Sequence, residues 1–158
     1  MNVLVACEFG GIVREAFRKR GHNAWSCDLI ETEIFGQHII GDVRGILDAG
    51  WDLMIAHPPC TYLCIAGLHY SKKSQARMNL TKEAYEFFMF LYNSNIPKIA
   101  IENPVGIVST WFRKPDQIID PFQFHAAERK KNLFMAEGFV EVNSSNKIRG
   151  EAYKNYYT

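Results

Sequence analysis

The chain has 158 residues, 47% of them hydrophobic and 22% charged, which fits a single domain around one core and excludes a disordered chain. Its formal net charge of +1 means that any polyanionic partner has to be met by a local patch, not by the field of the whole molecule. Four cysteines, Cys7, Cys27, Cys60 and Cys64, are too few for a disulfide scaffold. The apolar opening MNVLVACEFGG stops at Glu8, so neither a membrane span nor an export signal is expected, and a cytoplasmic location is.

Taken in chain order, short apolar runs alternate with helical patterns, the signature of a mostly parallel α/β sheet. Asn2–Ala6 predicts a first strand, buried on both faces. Gly10–Arg20 predicts a helix with Ile12, Val13, Ala16 and Phe17 on one side, stopped by Gly21. His22–Ser26, ending at Cys27-Asp28, and His38–Ile40, ending at Gly41-Asp42, predict the second and third strands. Asp52–Ala56 predicts a fourth, closed abruptly by His57-Pro58-Pro59-Cys60. Residues 61–79 have no clear period and read as a long loop, after which Thr81 is placed to cap a helix bearing Ala84, Phe87, Phe88 and Leu91 on one face. Pro97–Ile101 predicts a fifth strand ending at Glu102-Asn103-Pro104. Asn132–Ala136 and Phe139–Val142 predict two strands around Glu137-Gly138, an antiparallel addition to the sheet. Residues 1–142 read as one domain and 143–158 as a polar tail.

The reactive residues fall at one topological place. Glu8, Asp28, Asp42, Cys60 and Glu102 each stand at or just past the C-terminal end of a predicted parallel strand, the edge where open α/β sheets bind ligands. A helix starting at Gly10-Gly11 is expected to offer free amide groups there. Asp28 suits the two hydroxyls of a ribose and Asp42 an adenine amino group, although either acid could simply cap a turn. Two prolines stiffen the turn that carries Cys60, which favours a reactive thiol over a buried cysteine packed as a small hydrophobe. His57 is expected to help shape that turn. A carboxyl following a buried strand, as Glu102 does, is placed to donate a proton. Zinc held by three cysteines with His57 or His69 is an alternative that no CxxC or HExxH motif supports, and no metal is expected.

In this order the residues resemble the cytosine-C5 DNA methyltransferase family, in particular its short phage-type branch. VACEFGG stands where that family has its FxGxGG cofactor loop, PPC matches its Pro-Cys nucleophile motif, and ENP matches its Glu-Asn-Val motif. HAAERKKNLFMAEGF resembles the Gln-x-Arg-x-Arg stretch and the strand after it. Glu8 replaces the first glycine of the loop, Thr61 the glutamine after the nucleophile, and Pro104 the valine.

The resemblance implies a Rossmann-like methyltransferase fold using S-adenosyl-L-methionine, with a mostly parallel sheet and an antiparallel C-terminal addition. It implies that Glu8, Phe9, Gly10, Gly11, Asp28, Leu29, Asp42, Val43 and Pro58 bind the cofactor. Cys60, Glu102 and Lys130 would be catalytic. Pro59 and Asn103, with Lys72, Lys73 and Arg77 of the loop, would touch the substrate: cytosine in single-stranded DNA, a cytosine flipped from a duplex, or a pyrimidine nucleotide. No counterpart of the family's target-recognition domain follows, so a second copy or a protein partner is expected to supply recognition. Three other readings stay open. An amino-methyltransferase would use a DPPY-like turn, which HPPC approaches; the others are a non-catalytic binding protein on the same scaffold and an enzyme modifying free nucleotides.

Overall fold

The computed structural model describes residues 1–65, 74–119 and 132–137. Within them the chain runs β1 (Asn2–Ala6), α1 (Ile12–Arg18), β2 (Asn23–Asp28), β3 (His38–Ile40), β4 (Leu53–Ala56), α2 (Gln75–Tyr92), β5 (Ile99–Pro104), α3 (Val108–Trp111), β6 (Gln117–Ile119) and β7 (Asn132–Glu137). These strands form one sheet in the order β3-β2-β1-β4-β5-β7-β6. The first five are mutually parallel, β7 runs antiparallel to β5, and β6 runs antiparallel to β7.

Alternation along β1 explains why the sheet is covered on both sides, because successive side chains of a strand point to opposite faces. Val3 and Val5 pack with Val13 and Phe17 of α1. Leu4 and Ala6 belong to the larger cluster that includes Phe88 and Leu91 of α2. Both α2 residues are fully buried, and each contributes about 2 kcal/mol through burial.

Three expectations need correction. The second long helix begins at Gln75, with Ser74 at its N-cap, and not at Thr81. Thr81 lies buried within it, its hydroxyl donating to the Arg77 carbonyl at 3.1 Å, a local bond that lets threonine sit inside a helix. Arg77 is therefore a helical residue and not part of the loop read over 61–79, its guanidinium 5.2 Å from the Tyr62 ring centroid. Third, Glu102-Asn103-Pro104 extends β5 rather than following it, because β7 pairs with it through Pro104↔Asn132. The expected strand over 139–142 and the tail over 143–158 lie outside the described residues.

Arg14 fixes the segment between β2 and β3. Its side chain is fully buried, and its guanidinium donates to the Ser26 hydroxyl at 2.9 Å, the Thr32 hydroxyl at 3.2 Å and the Ile34 carbonyl. Gly11, at φ 75°, and Gly36 make room for it. A Cβ would come within 2.7 Å of the guanidinium at Gly11 and 2.8 Å at Gly36.

Candidate active site at the strand ends

Register puts the candidate residues in a row. Ala6, Cys27, Ala56 and Ile101 stand level across β1, β2, β4 and β5, so Cys7, Asp28, His57 and Glu102 form the next row at the C-terminal edge. His57 continues the ladder by donating its backbone amide to the Ala6 carbonyl at 3.0 Å. Its Nδ1 lies 3.2 Å from Glu102 Oε2, and both side chains are partly buried. His57 therefore does more than shape its turn.

Past His57, Pro58 is buried, Pro59 exposed and Cys60 half-buried. The Cys60 carbonyl accepts from the amides of Leu63 at 3.0 Å and Cys64 at 3.1 Å, closing a helical turn. That turn is laced to the chain after β5. Cys64 and Gly106 form an antiparallel bridge, Ile107 donates to the Leu63 carbonyl at 2.8 Å, and Ile65 donates to the Val105 carbonyl at 3.2 Å. A Cβ on Gly106 would sit 1.9 Å from the Leu63 carbonyl oxygen, so only glycine permits this approach. The segments that carry Cys60 and Glu102 are thus fastened directly to each other.

At β1 the geometry departs from the expected cofactor loop. Cys7 takes a left-handed φ of 58°, and Glu8 is turned inward and buried. The Glu8 carboxylate accepts from the amides of Val13 at 2.6 Å and Arg14 at 3.3 Å, so those two helix N-terminal amides are occupied and not free for a ligand. Burial pushes the Glu8 carboxyl above its ordinary range, opposed by those amides and by the nearby His57 and Arg14. Phe9 is exposed, and open space surrounds Gly10.

Asp28 is half-buried, one oxygen accepting from the Leu29 amide at 2.7 Å. Leu29 is 73% exposed, an apolar surface beside that carboxylate. Asp42 accepts from the Arg44 amide at 2.9 Å and from the Arg44 guanidinium at 2.9 and 3.0 Å. Arg44 holds the Asp42 carboxyl down to about 2. Val43 and Pro58, expected at the cofactor, are buried, and Val43 belongs to the core. Asn103, expected at the substrate, is fully buried and donates to the Pro104 carbonyl at 3.1 Å. Strand alternation turns it away from the face that Glu102 occupies. Lys72, Lys73 and Lys130 lie outside the described residues.

The thiols separate by environment. Burial, with the charge of Asp28 next, pushes Cys7 up to about 12 and Cys27 up to about 11, so both remain protonated at neutral pH and are poor nucleophiles. Among the described residues, no group of three or more His, Cys, Asp or Glu is arranged to hold a metal ion. Nor is any helix of theirs long and apolar enough to cross a membrane. A surface cleft of about 430 Å³, lined by Arg18, Trp25, Phe35 and His38 among others, lies beside α1 and β3 and gathers none of the strand-end row.

No family model and no curated protein matches the chain. Solved structures do. A methyltransferase of Entamoeba histolytica superposes with a TM-score of 0.58 at 15% identity, over 91% of this chain and 55% of that one. A protein described as a DNA modification methyltransferase encoded within an E. coli prophage superposes with a TM-score of 0.52 at 14% identity, over 87% of this chain and 46% of that one. The fold is therefore the Rossmann-like fold of methyltransferases. The chain spans about half the length of these two neighbours.

Proposed function

We propose that this chain carries the catalytic centre of an S-adenosylmethionine-dependent methyltransferase acting on carbon 5 of cytosine in DNA. The observation that carries the reading is the lacing of the Cys60 turn to the chain after Glu102. It ties the turn that carries Cys60 to the segment that continues the Glu102 strand, along the edge where Asp28 closes β2. Covalent pyrimidine chemistry needs those two groups together. The descriptions of both neighbours as methyltransferases, one of them acting on DNA, support the same reading.

The residues at the β1–β2 edge fit the cofactor in part. Asp28 offers carboxylate acceptors for ribose hydroxyls, exposed Leu29 an apolar face for adenine, and Gly10 space for close approach. Asp42 would serve an adenine amino group only by sharing its carboxylate with Arg44. Bound there, S-adenosylmethionine supplies a methyl group on a positively charged sulfur. Cys60 adds its thiolate to carbon 6 of the pyrimidine, which makes carbon 5 nucleophilic. Glu102 hydrogen-bonds ring nitrogen 3 and the exocyclic amine, stabilising charge as the ring is attacked. After methylation a base removes the carbon-5 proton, and the thiolate leaves. Lys130 is assigned to the ring oxygen, and Lys72 and Lys73 to phosphates. A cytosine in a duplex must first be flipped out, so single strands are the better substrate for the chain alone.

An oligonucleotide carrying 5-fluorocytosine tests this, because fluorine blocks the final proton removal and traps the adduct. With S-adenosylmethionine present, the wild-type chain forms a covalent adduct that maps to Cys60, and Cys60→Ser forms none. An adduct on Cys7 or Cys27, or an equal yield from the serine variant, rules out the assignment.

A further inference from the structure

We infer that His57 is a positioning residue for Glu102, holding its carboxyl in the site and carrying the proton that Glu102 hands to the substrate ring. The inference rests on the functional reading above and deepens it. Three observations on different elements converge. Register places His57, the residue after β4, beside Glu102 within β5, with Nδ1 and Oε2 3.2 Å apart. The other ring nitrogen of His57, Nε2, is buried and has no hydrogen-bond partner among the described residues. Buried Glu8, from the far side of the row, lies near enough for the His57 charge to act on its carboxyl.

A histidine kept only to brace two strands would be expected to satisfy both ring nitrogens, as buried polar groups do. Among the described residues this one spends one nitrogen on Glu102 and leaves the other, buried, without a partner. The chemistry explains why a partner is needed. An ionised carboxylate only accepts hydrogen bonds, so Glu102 can donate to ring nitrogen 3 only if a proton reaches it. As the Cys60 sulfur bonds to carbon 6, a ring electron pair moves toward nitrogen 3. The imidazolium gives its Nδ1 proton to Glu102 Oε2, leaving neutral imidazole, and the carboxylic acid so formed passes one proton to nitrogen 3 and returns to carboxylate. On elimination of the thiolate the same two transfers run backward, so the row returns to its starting state. Among the described residues, the titratable groups around His57 are Glu102 from β5, Glu8 and Cys7 from the end of β1, and Cys60 three residues along its own turn. Asp28 and Asp42 act on Cys7.

The experiment measures the rate of adduct formation with a single-stranded 5-fluorocytosine oligonucleotide and S-adenosylmethionine, across the pH range in which histidine titrates. It uses the wild type, His57→Asn and Glu102→Gln, and cofactor affinity is measured in parallel by calorimetry. Asparagine keeps an amide donor near the Nδ1 position but carries no titrating proton. The wild-type rate should fall as pH rises across that range. His57→Asn should be slower by about 10²-fold at the acidic end and lack that pH limb, in keeping with the worth of a placed proton donor. Its cofactor affinity should be unchanged. Glu102→Gln should lose the same limb, because the proton then has no path, and this holds the test open should the histidine variant fold poorly. A reactive wild type matched by His57→Asn in rate and pH profile overturns this inference alone, as does a limb that survives in Glu102→Gln. A wild type that binds no cofactor or forms no adduct overturns the functional reading, and this one with it.

Discussion

Glu8 and Asp28 stand one strand apart, and their surroundings give them opposite work. Glu8 spends its carboxylate on the helix amides beneath it, whereas Asp28 keeps its carboxylate partly exposed at the edge. Asp28→Ala should therefore weaken S-adenosylmethionine binding by about 1–3 kcal/mol, the worth of hydrogen bonds to a charged group. Calorimetry showing equal affinity would remove Asp28 from the cofactor site. Glu8 makes a prediction about stability. Because burial raises its carboxyl above the ordinary 4.5, the folded chain binds that proton more tightly than the unfolded chain does. The resulting stabilisation is present below 4.5 and is lost as pH rises through the folded value. Glu8→Gln removes this titration. Urea unfolding of the two proteins should show the wild type losing more stability between acid and neutral pH than the variant, and parallel curves would contradict it.

Among the elements, the junction between the Cys60 turn and the segment after β5 matters most, and Gly106 is its weakest point. With a Cβ placed 1.9 Å from a carbonyl oxygen, Gly106→Ala must push the two segments apart. A loss of about 1–3 kcal/mol in denaturant unfolding is expected, the range for overpacking. The same variant should form the Cys60 adduct more slowly, and full stability with full reactivity would show that the lacing is dispensable. This junction was not legible in the sequence, because it joins residues 63–65 to 105–107 through backbone bonds that leave no periodic trace. What could be read were the strand ends. Each apolar run stops abruptly at a polar or turn-forming residue, so Glu8, Asp28, Asp42, Cys60 and Glu102 could be assigned to one edge. Register was hidden, and with it the pairing of His57 with Glu102. Arg14 was hidden too, since a charged residue opposite the apolar face of a helix reads as solvated until Ser26, Thr32 and Ile34 are seen to surround it. The start of α2 was misread because threonine is a favoured N-cap, yet its hydroxyl can also bond back to the preceding turn.

At the scale of the whole molecule, a mostly parallel sheet covered on both faces delivers a thiol, a histidine–carboxyl pair and an acid to one edge, while the thiols of Cys7 and Cys27 stay protonated. A chain of net charge +1 has little general attraction for phosphate, so its contact with DNA should be weak and fall steeply with salt. The proposed chemistry stands or falls on the position of the methyl group. Incubation of the chain with a single-stranded, cytosine-containing oligonucleotide and isotopically labelled S-adenosylmethionine, followed by digestion to nucleosides and mass spectrometry, reads that position directly. Label is expected in 5-methylcytosine, abolished in Cys60→Ser. Label on the exocyclic nitrogen of cytosine or adenine, or label in 5-methylcytosine that survives the serine substitution, would contradict it.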